Sequence, residues 1–177
     1  LRNLLNFIER FGEHTIRFTT SQSIRLRNIP QAALEEIYFI LKGLVANIDA
    51  PLFTNNIVSC TGADTCRLGL CFSKGLASAI GKETAKIGKD LDKLGATRVN
   101  ISGCPNSCGQ HFWSDIGFSG RVLRNERVYP GYQIHLAADR RISPKLAEPI
   151  GVVNARDLPK FVRRLAEAYI ASESTVE

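Results

Sequence analysis

Four of the five cysteines form two close pairs. Cys60 and Cys66 are separated by five residues, Cys104 and Cys108 are separated by three, and 37 residues lie between the pairs. Thiols paired in this way are typical ligands of a zinc ion or of an iron–sulfur cluster. The cysteines therefore predict a metal or iron–sulfur site.

The spacing leaves three interpretations open. Zinc knuckles usually place about two to four residues between their ligands, so the five-residue gap of the first pair fits zinc less well. Disulfides favour an oxidising compartment and an even number of cysteines, whereas this chain has five. A [4Fe–4S] cluster is larger than one ion and accepts more varied loops, so all four paired cysteines could hold it.

The first part of the chain predicts a compact α+β unit. Apolar residues at helical spacing alternate there with two short stretches rich in β-branched residues. We expect a helix over 1–11, antiparallel strands over 14–20 and 23–29, and a helix over 30–44 with Pro30 at its first position.

The elements around the cysteines predict a mixed or antiparallel sheet with helices. A strand over 57–59 leads into Cys60, and a strand over 97–102 leads into Cys104. A helical turn that begins at Pro105 would place both sulfurs of the second pair on one face. The other expected elements are a helix over 72–94 with Gly81 as the candidate break, strands over 116–124, 127–137 and 150–153, and a helix over 155–171.

Composition and net charge limit the classes of protein to which the chain can belong. The chain has 177 residues, 44% of them hydrophobic, and no stretch approaches the roughly 18 apolar residues of a membrane helix. Its net charge of +6 comes from scattered basic residues, which predicts a small oxyanion or an anionic cofactor as partner rather than nucleic acid or a membrane. We expect a cytoplasmic protein with reduced thiols. The absence of Met and a start inside a helix indicate a piece of a longer chain.

Three stretches resemble one known protein family, both in their residues and in their order along the chain. They are Cys60-Thr61-Gly62 with Cys66, Gly103–Gln110 followed by Asp115–Phe118, and Ile16–Ile24 around a Thr-x-x-Gln pattern. The chain resembles the sirohaem-dependent nitrite and sulfite reductases over nearly its whole length. The resemblance implies a ferredoxin-like half-domain over residues 1–50 and a [4Fe–4S] and sirohaem domain over residues 51–177.

The resemblance also assigns roles to the cysteines. Cys60, Cys66, Cys104 and Cys108 would hold [4Fe–4S]. Cys108 would also be the axial thiolate of the sirohaem iron, so that one sulfur couples both cofactors. Asn106 would lie at the edge between cluster and haem.

Sirohaem carries several carboxylates, so basic side chains are expected near it. Arg17, Arg25 and Arg27 are the candidates, and Gln22 occupies the Gln position of the family. A solvated strand face explains each arginine equally well.

The resemblance implies an oxidoreductase that reduces nitrite, or sulfite, in a multi-electron reaction. Electrons would come from a donor such as ferredoxin or a flavoprotein. The family carries the half-domain and cluster domain twice, whereas this chain has one copy, with Ser21 where the first copy has Arg. It therefore resembles the C-terminal half, which would hold the cluster but need the missing N-terminal half for full catalysis. The alternatives are a stand-alone [4Fe–4S] electron-transfer or binding module without sirohaem, and a structural zinc domain.

The remaining candidates have structural explanations. Cys71 matches no ligand position and is expected to be a small buried residue. We expect Phe112 and Trp113 to serve packing. The three histidines, His14, His111 and His135, are interpreted as isolated, with His111 a surface residue or a neighbour of a ligand.

Overall fold

The chain divides into two units, Leu1–Ala50 and Pro51–Glu177. The computed structural model describes residues 1–138 and 145–173. Residues 139–144 and 174–177 of the expected second domain lie outside this described part. The assignment of residues 1–50 and 51–177 to two domain types stays a prediction.

The first unit packs two helices and a two-stranded antiparallel ribbon around a small core. Leu4, Phe7 and Ile8 of the first helix contact Ala33 and Ile37, because their spacing places them on one helical face. The elements are α1 (Arg2–Glu9), β1 (Ile16–Phe18), β2 (Ile24–Leu26), a 3₁₀ turn (Gln31–Ala33) and α2 (Leu34–Lys42).

Pro30 does not open the second helix, contrary to the sequence prediction. Its backbone is extended, with φ −62° and ψ 145°, and a single 3₁₀ turn separates it from α2. Glu35 and Glu36 occupy the first turn of α2 instead, where acidic side chains favour the helix dipole.

The second unit is built on a five-stranded mixed sheet in the order β3-β4-β5-β6-β7. The pairs β3–β4 and β4–β5 are parallel, and the other two pairs are antiparallel. The predicted α+β class is confirmed. The elements are α3 (Leu52–Asn55), β3 (Ile57–Ser59), α4 (Ser73–Thr84), β4 (Val99–Ser102), β5 (Ile116–Arg124), β6 (Val128–Leu136), β7 (Glu148–Asn154) and α5 (Leu158–Glu173).

One hydrophobic cluster joins α4 and α5 to the sheet. Ile80 and Leu158 are fully buried, as are Val99, Ile101 and Phe118 of the two central strands. Burying an aliphatic or aromatic side chain of this size contributes about 1.5–3 kcal/mol. This hydrophobic cluster therefore stabilises the sheet that contains β3 and β4.

The predicted helix over 72–94 is interrupted, but not at Gly81. Gly81 lies inside α4, which ends at Thr84, and 3₁₀ turns continue over Ala85–Leu94. The interruption falls at Gly88, where φ is 71°. Glycine adopts this backbone conformation without steric cost, so the chain can turn there.

Candidate functional site

The first cysteines of the two pairs lie at the same edge of the sheet. Because β3 and β4 are parallel and Ser59 is opposite Ile101, both strands deliver their following loops to one end. The Cys60 N–H donates to Ile101 O at 3.0 Å, which extends the ladder by one residue. The Gly103 N–H then donates to Cys60 Sγ at 3.1 Å. The Cys60 thiol therefore lies directly beside the backbone that leads into Cys104.

The two cysteine loops contact each other backbone to backbone. The N–H groups of Leu70 and Cys71 both donate to Gly103 O, at 2.9 and 3.0 Å. A Cβ at Gly103 would lie 2.8 Å from Gly62 Cα and 2.8 Å from Cys71 O. No side chain fits between the loops, so glycine is required here by space rather than by backbone conformation.

Cys66 is positioned by a short turn within the first loop. Residues Gly62–Asp64 form a 3₁₀ turn, and the Cys66 N–H donates to Gly62 O at 3.0 Å. The carbonyl of Cys66 accepts the N–H of Gly69 at the same distance. Like Cys60, Cys66 is partly exposed, so both thiols of this loop remain accessible.

The second cysteine loop is not the helical turn predicted from the sequence. It consists of two separate turns, and Ser107 between them has φ 60°, outside the right-handed helical region. Cys104 is buried, whereas Cys108 is exposed. Cys108 therefore presents its thiol to the surroundings of the unit, while Cys104 faces inward.

The described residues do not form a compact site for a single metal ion. Within the described residues, no three His, Cys, Asp or Glu side chains converge closely enough to hold one ion. A structural zinc site requires four ligands at about 2.0–2.3 Å from one centre.

Cys71 differs from the other four cysteines. It is 1% exposed, and its thiol donates to the carbonyls of Gly131 and Arg121 at 3.5 and 3.6 Å. Burial raises the pKa of the Cys71 thiol. The prediction that Cys71 is a small buried residue is confirmed.

The interpretation of His111 and His135 as isolated residues is wrong. Both are buried, with 0% and 4% exposure, and their ring centroids lie 4.7 Å apart. Ser102 Oγ lies 2.8 Å from His111 Nδ1, and Ser119 Oγ lies 3.0 Å from His135 Nε2. The two serines are themselves register partners on β4 and β5.

Burial keeps these imidazoles neutral. Burial first, and then the neighbouring His135, lower the pKa of His111 to about 4. Burial and the charge of Arg121 also lower the pKa of His135. Among the described residues, His111 Nε2 and His135 Nδ1 have no hydrogen-bond partner. Phe112 contacts both rings, which agrees with its predicted packing role.

Sequence reasoning missed Asn100 and Ser102 as residues of the cysteine site. They alternate with Val99 and Ile101 along β4, a pattern that usually indicates one solvated face. Both are buried, and both bond to the backbone just after Cys108. The only signal in the sequence was the position of these two polar residues immediately before the Cys104 motif.

The other predicted site residues are exposed. Arg17 and Arg25 are register partners on β1 and β2, and Gln22 lies in the turn between these strands with φ 57°. Arg27 follows β2, and Asn106 lies in the first turn of the second cysteine loop. The structure therefore brings Arg17 and Arg25 together. The arginines and Gln22 belong to the first unit, and the cysteines and Asn106 to the second.

Two family models together match most of the chain. The model described as "Nitrite and sulphite reductase 4Fe-4S domain" matches residues 53–175. The model described as "Nitrite/Sulfite reductase ferredoxin-like half domain" matches residues 1–44. Since the first match covers more than half of the chain, the chain belongs to the nitrite and sulfite reductase family, and the predicted family is confirmed.

Among the individual relatives, some are named nitrite reductases and others sulfite reductases. The ferredoxin–nitrite reductase of Synechococcus elongatus is 31% identical over 93% of this chain and 32% of its own length. The sulfite reductase [ferredoxin] of Mycobacterium tuberculosis is 26% identical over 100% of this chain and 33% of its own length. The chain thus spans about a third of the curated relatives that it matches.

A solved structure has the same fold. The NirA protein of Mycobacterium tuberculosis superposes with a TM-score of 0.73 and 22% identity, over 96% of this chain and 33% of that protein. In the part of the chain that the structure describes, no helix is long and apolar enough to cross a membrane.

Proposed function

We propose that this chain is the cluster- and sirohaem-binding part of a reductase that acts on nitrite or sulfite. Cys60, Cys66, Cys104 and Cys108 are the proposed ligands of a [4Fe–4S] cluster, with Cys108 also the axial ligand of sirohaem. The observation that carries the proposal is the hydrogen bond from Gly103 N–H to Cys60 Sγ, which joins the two cysteine loops at one sheet edge. The matching family model is described as a 4Fe-4S domain, which supports the [4Fe–4S] cluster.

The residues present fit a cluster in two respects. Four thiols supply the sulfur ligands that [4Fe–4S] requires, on loops whose contact is fixed through Gly62 and Gly103. A backbone N–H already donates to one ligand sulfur, and such bonds set the reduction potential of bound clusters.

Differences in exposure suit the proposed roles of the two cysteines of the second pair. Cys104 is buried and would hold the cluster on its inner side. Cys108 is exposed, so its sulfur can contact a second group beyond the cluster. When bound, the cluster supplies electrons and the sirohaem iron binds the oxyanion to be reduced. Asn106, exposed two residues before Cys108, is proposed to contact this edge.

The charge on the ribbon of the first unit supports an anionic ligand. Arg17 and Arg25 are directly opposite on neighbouring strands, and like charges at such positions are destabilising. Neither forms an ion pair within the described residues. We propose that carboxylates of sirohaem relieve this repulsion, with Arg27 and Gln22 as further contacts.

The names of the relatives indicate the proposed partners. Ferredoxin is named as the donor of both relatives, and nitrite and sulfite are their substrates. We propose the same donor and substrate classes here, with the rest of a longer protein as a further partner. The free cysteines support the proposed cytoplasmic location.

Sirohaem uptake tests this function. Sirohaem would be added without oxygen to the cluster-loaded chain, and binding would be followed by its visible spectrum. We expect one sirohaem per chain. Cys108→Ser should give a changed spectrum, because this variant loses the sulfur proposed to bind sirohaem and, with it, part of its cluster iron. Cys71→Ser should bind sirohaem with the spectrum of the unchanged chain. Failure of the loaded chain to bind sirohaem, or identical spectra for Cys108→Ser and the unchanged chain, would contradict the proposal.

A further inference from the structure

A set of buried polar side chains on β4 and the following loop holds the peptide groups just after Cys108. We name the side chains of Asn100, Ser102 and His111 the β4 clamp. We infer that the β4 clamp positions the Cys108 thiol for its ligand role, through Gly109. This inference rests on the proposed function, since it concerns how a proposed ligand is held.

The β4 clamp binds both backbone groups of Gly109. The Gly109 N–H donates to Ser102 Oγ at 3.1 Å, and Gly109 O accepts from Asn100 Nδ2 at 2.8 Å. Asn100 Nδ2 also lies 3.3 Å from Gln110 O. These lengths are those of ordinary hydrogen bonds. The residue after Cys108 is therefore fixed by side chains on both sides of its α-carbon.

Close packing reinforces these bonds. A Cβ on Gly109 would collide with Ile101 O and would lie 3.0 Å from Ser102 Oγ. Gly109 therefore lies directly on the backbone of β4, where only a residue without a side chain fits. Because Gly109 is buried and Cys108 is exposed, the position of the exposed cysteine depends on its buried neighbour.

His111 orients the serine of the β4 clamp. Its Nδ1 lies 2.8 Å from Ser102 Oγ, and its ring is fully buried. When His111 Nδ1 accepts a hydrogen bond from the Ser102 hydroxyl, the lone pairs of Ser102 Oγ are free to accept from Gly109 N–H. In this tautomer the imidazole fixes the orientation of the Ser102 hydroxyl.

Asn100 and Ser102 are well placed for this role because they lie on the central part of the sheet. β4 pairs with β3 on one side and β5 on the other, and all four of its residues are buried. Sites supported by the strands and helices of a fold are held more precisely than sites on loops. Residues that orient ligands in this way typically alter metal affinity by about 10–100-fold when replaced.

A pair of variants of equal shape isolates the hydroxyl. Ser102→Thr keeps it and Ser102→Val removes it, while both add the same bulk. We expect iron release to a chelator to be about 10–100-fold faster in Ser102→Val than in Ser102→Thr. We also expect a broadened paramagnetic resonance spectrum of the reduced cluster in Ser102→Val. Ser119→Val is the matched control, because Ser119 is a buried serine on the next strand that bonds His135 instead.

Hydrogen exchange provides a measurement that does not depend on the cluster. Amide exchange of the peptide covering 104–110 should be faster in Ser102→Val than in Ser102→Thr, and faster in Asn100→Leu than in the unchanged chain. Equal iron release and equal exchange in the Thr and Val variants would overturn the inference. A chain that takes up no cluster yet shows the exchange difference would contradict the proposed function but keep the role of the β4 clamp in holding the loop.

Discussion

At the scale of single residues, the five cysteines differ in what surrounds each thiol. Cys60 Sγ accepts a backbone N–H, whereas the Cys71 thiol donates to two carbonyls. Burial raises the pKa of Cys71, which keeps its proton on sulfur. The surroundings of Cys71 therefore suit a thiol and not a metal ligand.

Serine replacements test this difference. We expect Cys60→Ser, Cys66→Ser, Cys104→Ser and Cys108→Ser each to lower the iron bound per chain severalfold, since each would remove one sulfur ligand. Cys71→Ser should bind iron like the unchanged chain, because a hydroxyl can donate to the same carbonyls. Iron content after anaerobic reconstitution measures the effect. Loss of the cluster in Cys71→Ser would show that the ligand assignment is wrong.

The buried histidines give the folded state a pH dependence. The unfolded chain takes up a proton on each imidazole near pH 6.5, whereas His111 in the folded chain does so only near pH 4. The unfolded state therefore binds more protons between these values, and the folded state loses stability as the pH falls through this window.

The variant His111→Asn measures this contribution. Its amide oxygen can still accept from Ser102, but it does not titrate. From pH 7 to pH 4, the free energy of unfolding of the unchanged chain should fall by roughly 1–3 kcal/mol more than that of His111→Asn. Urea unfolding at several pH values would give both curves. Parallel curves would show that the burial of His111 does not control its protonation.

At the scale of elements, parallel pairing of β3 and β4 brings together two loops that are far apart in sequence. The contact between the loops depends on Gly103, where an added Cβ would lie 2.8 Å from two backbone atoms of the first loop. Backbone atoms cannot move aside as a flexible side chain can, so the loops would have to separate.

Gly103→Ala should therefore destabilise the fold and loosen the site. We expect a loss of about 1–3 kcal/mol in the free energy of unfolding and a lower iron content than in the unchanged chain. Gly151→Ala is the control, because a Cβ at Gly151 meets no atom within 4 Å. Thermal unfolding and iron content would be measured for both variants. Equal behaviour of the two alanine variants would contradict the close contact between the loops.

Several elements could be predicted from sequence because their signals are local. The alternation around Ile16 and Ile24 predicted the two-stranded ribbon, and the short run before Cys60 predicted β3. The position of the helix interruption could not be predicted in the same way. Gly81 and Gly88 have the same local permissiveness, yet Gly81 stays helical and Gly88 has φ 71°.

The site was predicted less completely than the fold. Cysteine spacing and family resemblance identified the two loops, but a helical turn for the second loop was wrong because Ser107 interrupts it. The buried role of Ser102 and His111 depends on contacts between β4, β5 and the loop after Cys108. Such contacts between distant segments have no signature in hydrophobic periodicity.

At the scale of the whole molecule, the chain is about a third of its curated relatives. It contains one match to each of two family models, over 1–44 and 53–175. A chain of this extent includes all four proposed cluster ligands within its second unit. We therefore expect cluster binding to be a property of this chain, whereas complete reduction of nitrite or sulfite would require the longer protein.

The most direct test of the central claim is the iron, acid-labile sulfide and zinc content of the chain purified without oxygen. The proposed ligand set predicts iron and sulfide in equal amounts, at about four of each per chain, with little zinc. Bound zinc without sulfide would contradict the cluster and would assign the four cysteines to a structural metal site instead.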